Sequence, residues 1–204
     1  MKMESYKLNE RDVYIPVPES YRDCITLIKS DYYRLGGGAS FPAIVINALH
    51  PFRSSVLFWR RLCQHKGLFF PFFNLMYKRA CKKSMIDIPL STKIGYGLYI
   101  GHGMCMVING GTVIGNNVNL AQFLNVGTNH GTPAIIGDNV YIGPHVCLVE
   151  NVKIENNVTI GAGAIVTRDV PQNATVAGVP ARILNYDNPG RYIGNPYAFD
   201  VLDK

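Results

Sequence analysis

From Ile88 to Val166 an aliphatic residue returns about every six positions, usually followed by a small one: Ile94-Gly95, Ile100-Gly101, Ile114-Gly115, Val126-Gly127, Ile136-Gly137, Ile142-Gly143 and Ile160-Gly161. A second apolar or small residue usually stands four places after the first. Aliphatic, small, turn, turn, aliphatic, polar is the hexapeptide form of a parallel β-helix repeat. One hexad is too short to bury its own face, but three close a triangular coil whose inward Ile, Leu and Val stack on the coils above and below. The pattern predicts a column of aliphatics as the core.

Register supports the pattern. Asn139 and Asn157 lie 18 residues apart, which stacks them at one corner of successive coils, where Asn tolerates the left-handed turn conformation. Asn117 joins that stack if four residues near Thr132 to Ile135 loop out. An excess of two residues near Met106 and Val107 separates the hexad of Ile100 from that of Ile108. With both insertions removed, His102, Gln122, Pro144 and Ala162 share a corner. A purely structural solenoid has no need of insertions, and each of these lies close to a histidine, His102 or His130.

The stretch before the repeat follows a helical pattern. Ser20 with Asp23 opens a helix at about Tyr21, and Gly36-Gly37-Gly38 ends it. Ser40 and Pro42 start a second, Pro51 interrupts it, and the pattern resumes from Phe52 to Lys66, where Gly67 stops it. A last helix from about Phe70 to Lys83 delivers the chain to the repeat at Asp87. The expected organisation is a helical domain over residues 1–86, a β-helix over 87–184 and a C-terminal tail over 185–204.

Charge is uneven. Residues 32–86 carry Arg34, Arg53, Arg60, Arg61, Lys66, Lys78, Arg79, Lys82 and Lys83 and no Asp or Glu, so the formal net charge of +6 resides here. Interleaved Phe52, Phe58, Trp59, Phe69, Phe70, Phe72 and Phe73 make the region amphipathic as well. One reading is a trimerisation or capping domain with a solvated basic face. The other is attraction to anionic lipid, giving peripheral membrane contact, or to an acidic ligand such as a nucleotide phosphate. No recognition motif accompanies the charge, so nucleic acid is not an expected partner.

A chain of 204 residues supports one or two domains with a real core. No run of 18 or more apolar residues supplies a membrane span, and Met1 to Glu10 lacks the apolar segment of a signal peptide. Cys24, Cys63, Cys81, Cys105 and Cys147 have neither even number nor metal-type spacing. Buried reduced thiols, and hence the cytoplasm, are the expectation.

The run Asp87-Ile88-Pro89, then Ile94 to Met104 containing Gly101-His102-Gly103, then Val107 to Gly115, and finally Ala177-Gly178-Val179-Pro180-Ala181-Arg182-Ile183 resembles the hexapeptide-repeat acyltransferases. Within them it is most similar to serine O-acetyltransferase and its relatives in bacterial polysaccharide gene clusters. The resemblance covers about residues 85–184 well and the helical region loosely. It implies a mainly β fold, a left-handed parallel β-helix preceded by a small α-helical domain. It also implies a trimer, or a hexamer, with acetyl-CoA and the acceptor bound in clefts between chains.

Moving an acetyl group from a thioester to a hydroxyl needs a base that takes the hydroxyl proton as the oxygen attacks, and histidine suits that near neutral pH. By resemblance His102 is the base, and Asp87, fifteen residues earlier, orients and supports it. The alternative is that His102 caps a turn and Asp87 caps the helix-to-β junction. His130, in Gly127-Thr128-Asn129-His130-Gly131-Thr132-Pro133, falls near a second family histidine that contacts acceptor or thioester; an ordinary loop histidine is equally consistent. His145 and His50 read as structural. The corner from His102 to Ala162 spans three coil steps, ~14 Å, a length that suits an extended pantetheine arm. Gly143, Ala162, Gly163, Ala177 and Gly178 are small enough for that arm to approach, unless tight turns alone require them. Arg168 and Arg182 are candidates for the nucleotide phosphates or plain surface charge.

Departures from the serine enzymes bear on the acceptor. Gly101 stands where they carry an aspartate for the serine amino group, Asn129 where an arginine holds the carboxylate, and Gly111 where a glutamate is expected. Asp31 corresponds loosely to a helical-domain aspartate that touches serine, or is a helix-surface residue. These changes weigh slightly toward a sugar or polysaccharide precursor over L-serine. The terminal Val201-Leu202-Asp203-Lys204 lacks the isoleucine through which such enzymes join cysteine synthase. Two other classes stay open: a metal enzyme resembling γ-carbonic anhydrase, which would need His102, His130 and His145 to converge, and a non-catalytic scaffold. For the acetyltransferase no metal is expected.

Overall fold

A computed structural model describes residues 1–36, 40–49 and 54–199. The expected roles of Gly37 and Gly38, His50, Pro51, Phe52 and the Val201–Lys204 terminus lie outside the described residues.

The chain opens with an antiparallel hairpin, β1 (Lys2–Lys7) and β2 (Asp12–Val17), followed by α1 (Tyr21–Tyr33), α2 (Phe41–Leu49), α3 (Ser54–Leu62) and α4 (Phe70–Ser84). The start of α1 is built as its sequence predicts. Ser20 takes an extended backbone and its Oγ accepts from Asp23 N at 3.2 Å, while Asp23 Oδ2 accepts from Glu19 N at 2.9 Å, so two end amides of the helix are satisfied reciprocally. Pro71 sits in the first turn of α4, where its missing N–H costs nothing, and Met85 in the left-handed conformation ends that helix.

Five coils follow among the described residues. They run β3 (Ile86–Asp87), β4 (Lys93–Ile94), β5 (Tyr99–Ile100); β6 (Met106–Ile108), β7 (Val113–Ile114), β8 (Asn119–Leu120); β9 (Asn125–Val126), β10 (Ile135–Ile136), β11 (Tyr141–Ile142); β12 (Cys147–Leu148), β13 (Lys153–Ile154), β14 (Thr159–Ile160); and β15 (Ile165–Val166), a bridge at Val170, β16 (Thr175–Ala177). Each of the first four coils places one strand on each of three parallel sheets, and the fifth adds strands to two of them and a bridge to the third: face A from β3 to β15, face B from β4 to β13, and face C from β5 to β16. Face C is closed by antiparallel β17 (Arg182–Asn185). Inward residues are sealed: Ile94, Ile114, Ile136 and Ile154 on face B are 1% exposed or less, and each fully buried aliphatic of this kind contributes about 1.5–3 kcal/mol. The small residue after each aliphatic lets the coils approach, since a Cβ on Gly115 would run into the Gly137 carbonyl of the next coil.

The left-handed asparagines stack as the register predicts. Asn117, Asn139, Asn157 and Asn173 have φ between 54° and 66°, with Asn139 Nδ2 donating to Asn157 Oδ1 at 3.2 Å and Asn157 Nδ2 to Asn173 Oδ1 at 3.0 Å. Both insertions, however, lie a few residues earlier than expected. Ile114 pairs with Ile136, Ile136 with Ile154 and Val126 with Leu148, so the extra four residues are Thr128 to Gly131 and not the stretch from Thr132 to Ile135. Met106 and Val107 are regular members of β6, and the smaller excess falls in the turn between His102 and Cys105.

Three further features depart from expectation. The N-terminal region is not purely helical, because the hairpin lies on face B: Leu8, Val13 and Ile15 form a small core with Val113, and Asn9 N donates to Glu155 Oε1 at 2.9 Å. The described part of the tail packs against the solenoid, contacts that no sequence pattern announces. Gly190 N donates to Asn157 O at 2.7 Å, Asn119 Nδ2 to Tyr192 O at 2.8 Å, and the Asn117 amide pairs with Tyr197 N and O at 2.8 and 3.0 Å, so residues 186–199 strap the corner between faces B and C. Nor is the basic region all solvated face. Arg34, Arg60 and Arg61 are buried and turn their guanidinium groups onto the first coils, Arg60 Nη2 donating to Thr92 O at 2.6 Å and Arg61 Nη2 to Gly95 O at 2.6 Å. The helices therefore cap the solenoid end, and one hydrophobic cluster runs from Cys24 and Trp59 into the column of Ile94, Ile114 and Ile136. Lys78, Arg79, Lys82 and Lys83 do stay exposed on α4. All five cysteines are free thiols, and among the described residues no helix is long and apolar enough to cross a membrane.

Candidate active site

The hairpin covers face B and the strap covers the corner between faces B and C. Face A and its corner with face C remain open, and His102 stands at that corner. It lies in the turn between β5 and β6 with φ 59°, followed by Gly103 at 43° and Cys105 at 52°. Cys105 N donates to Ser84 O at 3.0 Å, tying this turn to the end of α4. Gln122, Pro144 and Ala162 occupy the matching positions of the next three coils, as the Ile100, Leu120, Ile142 and Ile160 register requires. Of these four, only His102 has a left-handed backbone. In the next three coils the left-handed conformation falls one residue later, on Phe123, His145 and Gly163, so it belongs to the turn at this corner, and His102 takes it where the two extra residues enter.

His102 borders an open hollow of about 240 Å³ with Tyr99, Gly101, Asn119, Gln122 and Tyr141. A second hollow of about 330 Å³, with Arg34, Tyr192 and Asn195 in its wall, shares Tyr99 and Asn119 with the first. Asn119 is pinned on both sides: its Oδ1 accepts from Arg34 Nη2 and its Nδ2 donates to Tyr192 O at 2.8 Å. Tyr99, Asn119 and Tyr141 each precede an inward aliphatic, so the outward position of the hexad was the available signal for them. Asp87 is exposed on face A in the strand paired with β6, at the same end of the solenoid as His102.

The other sequence candidates separate. Ala162, Gly163, Ala177, Gly178 and Arg182 gather at the His102 corner in the last coils, with Arg182 registered opposite Ala177 and Gly178 O accepting from Ile165 N at 3.1 Å. Gly143 does not belong to an open path. It is buried, and a Cβ there would sit 2.8 Å from Ala162 N, so its small size serves coil stacking. Gly163 is exposed with φ 70°, but its N–H already donates to Pro144 O at 2.8 Å. Arg168 lies past β15, at the opposite edge of face A from Arg182.

Asp31 is not a helix-surface residue. It is 3% exposed, its Oδ1 accepting from Arg61 Nη2 at 2.9 Å and Leu98 N at 2.8 Å and its Oδ2 from Arg61 Nε at 2.8 Å. Burial pushes its carboxyl up, against the pull of the Arg61 guanidinium. Those bonds join α1, α3 and the first coil.

His130 and Asn129 are exposed in the four-residue insertion between β9 and β10. They line a hollow of about 330 Å³ on face A with Asn125, Cys147, Val149 and Glu150. Glu150, which no sequence pattern singles out, accepts at Oε2 from the N–H groups of Asn129, His130 and Gly131 at 2.8, 2.9 and 3.1 Å. His145 stacks on Phe123 with ring centroids 4.4 Å apart. Among the described residues no three His, Cys, Asp or Glu side chains come together as a metal-binding group.

Repeat, register and helical cap together define a capped, three-faced parallel β-helix of hexapeptide repeats. Residues 133–168 match the family described as bacterial transferase hexapeptide (six repeats). Serine acetyltransferase of Staphylococcus epidermidis is 39% identical over 116 residues, 55% of this chain and 54% of that protein. Mitochondrial serine acetyltransferase 3 of Arabidopsis thaliana is 36% identical over 123 residues, 56% of this chain and 31% of that protein. The structure of serine acetyltransferase from Brucella abortus superposes with a TM-score of 0.64 at 26% identity, over 80% of this chain and 68% of that one. Soybean serine acetyltransferase complexed with serine gives 0.57 at 26% identity, over 79% and 68%. The chain is serine acetyltransferase-like, and it spans about half the length of the Staphylococcus relative it matches.

Proposed function

We propose that this chain transfers an acetyl group from acetyl-CoA to the hydroxyl of serine or a close serine-like acceptor. The observation that carries the reading is His102, held on a left-handed backbone at an open corner beside a hollow lined by Tyr99, Asn119 and Gln122. In this reaction the His102 imidazole takes the acceptor hydroxyl proton while the oxygen attacks the thioester carbonyl. A C–O bond forms, the C–S bond breaks, and the departing CoA thiolate receives the proton from the imidazolium. Asp87 orients the imidazole. Ala162, Ala177 and Gly178 leave room for the pantetheine arm along the corner, and Arg182 supplies charge for a phosphate.

The acceptor assignment follows the relatives, which are named for serine, and sets aside the preference for a sugar drawn from Gly101 and Asn129. The active assembly is a trimer. Face A bears exposed Val107 and Val149 with Met104 and Phe123 at its edge, an apolar strip that self-association would cover. CoA release from acetyl-CoA with serine, homoserine, free sugars and nucleotide sugars tests the function. Release dependent on serine and abolished by His102→Ala supports it. Release unaffected by every acceptor leaves the scaffold reading, and activity lost on chelation with stoichiometric bound metal favours the metal enzyme.

A further inference from the structure

The segment Thr128 to Gly131 is extra to the coil, so no neighbouring strand satisfies its amides. The coil above supplies partners from two consecutive side chains. Glu150 Oε2 accepts from Asn129 N, His130 N and Gly131 N at 2.8–3.1 Å, with Thr128 Oγ1 also 3.1 Å away. Asn151 Oδ1 accepts from Thr132 N at 2.9 Å. One carboxylate oxygen thus gathers three successive amides. Bonds to an ionised acceptor are about twice as strong as neutral ones, so Glu150 is the main hold on residues 129–131, beside Asn151 at Thr132 and the 2.8 Å contact of Thr128 Oγ1 with Gly131 O.

We infer that Glu150 is the positioning residue for His130, holding it on face A so that it can meet the reacting groups of a neighbouring chain. The inference rests on the acetyl-transfer reading above, with His130 in the acceptor- or thioester-contacting role that the resemblance implies, and adds Glu150 to it. Glu150 touches no reacting atom in this role. It acts through the backbone of residues 129–131, whose freedom would otherwise let the imidazole wander by more than reaction geometry tolerates.

The test uses the full chain with acetyl-CoA and serine, comparing wild type, Glu150→Gln, Glu150→Ala, His130→Ala and the double variant Glu150→Ala/His130→Ala. Glu150→Ala is expected to lower kcat/KM for serine by about 10²-fold, the effect of a misplacement near 1 Å, while CoA affinity stays within about twofold. Glu150→Gln, which keeps one acceptor oxygen, should fall between it and wild type. The double variant should match His130→Ala alone, because the two residues act as a unit. Amide hydrogen exchange at 129–131 should speed up in Glu150→Ala with the melting temperature little changed. Unchanged exchange there overturns the proposal, as does full activity of Glu150→Ala beside an impaired His130→Ala. Wild-type kinetics in His130→Ala overturns the role of His130 itself, and is told apart because exchange still reports the Glu150 contact.

Discussion

His102 and His130 stand at opposite edges of face A, His102 in the turn that enters it from face C and His130 in the loop that leaves it for face B. The width of a whole sheet separates them within one chain. Around a threefold axis the leaving edge of one chain can face the entering edge of the next, and Arg168 and Arg182 are split across the same two edges. A site assembled this way is complete only in the oligomer.

Subunit mixing checks that arrangement. His102→Ala should lower turnover by about 10²–10⁴ with CoA binding preserved, as expected for loss of a general base. If His130→Ala is also impaired, trimers reassembled from equal amounts of the two variants should regain activity at roughly a quarter of their interfaces, those that unite both intact histidines. Absence of any recovery, with mixed trimers demonstrated by mass, would mean that each chain carries its own site.

Asp31 and Arg61 form a buried pair that joins the helical cap to the solenoid. Removing one partner strands the other charge, so Arg61→Ala should cost about 3–5 kcal/mol in denaturant unfolding. Asp31→Asn should lose stability in the same direction while the folded fraction keeps a near-normal KM for serine. A selective rise in that KM at unchanged stability would return Asp31 to the acceptor site.

The hexad core was legible because each short strand repeats the same inward choice, and Ile94, Ile114 and Ile136 declare it independently of any partner. Asn139 and Asn157 were legible for a similar reason: their spacing equals one coil. The hairpin was not. Its inward Val13 and Ile15 alternate with Tyr14 over too few positions to stand out, and they matter only against Val113, a hundred residues away. Glu150 was invisible for the same physical reason. Its role lies in three amides of a different coil, and amides carry no sequence signature.

The asparagine stack gives a contrast between two small substitutions. Asn157 combines φ 60° with a side-chain bond to each neighbour in the stack. Asn157→Gly loses the bonds but keeps the backbone relaxed, whereas Asn157→Ala adds left-handed strain of about 1–2 kcal/mol. Alanine should therefore be the less stable replacement in equilibrium unfolding, the reverse of their order in a helix. Equal stabilities would show that the corner relaxes without cost.

The Glu150 carboxyl is held down to about 2, from an ordinary 4.5, by the amides of His130, Asn129 and Gly131. A depressed folded value means that its contribution to loop order is complete above pH 4.5 and is lost as pH falls through about 2. Amide proton shifts of residues 129–131 should titrate together with a midpoint near 2. A midpoint near 4.5 would show that the carboxylate gains nothing from the loop.

The acceptor can be tested by adding back charge. A serine zwitterion entering the His102 corner loses hydration at both ends, and Gly101 and Asn129 offer no charge in return. A Cβ at Gly101 would meet Tyr99 Cε1 at 3.4 Å and Leu120 O at 3.7 Å, ordinary contacts, so the backbone there accepts a side chain. Asn129 is exposed and contributes its N–H to Glu150, a bond that an arginine at this position retains. Serine should already have a higher specificity constant than any free sugar in the wild type, in line with the relatives. Gly101→Asp with Asn129→Arg should raise it further by about 10- to 100-fold, as one charged hydrogen bond would, with sugars unaffected. A sugar preferred over serine in the wild type, and no gain for serine in the double variant, would overturn the serine assignment while leaving the chemistry at His102 intact.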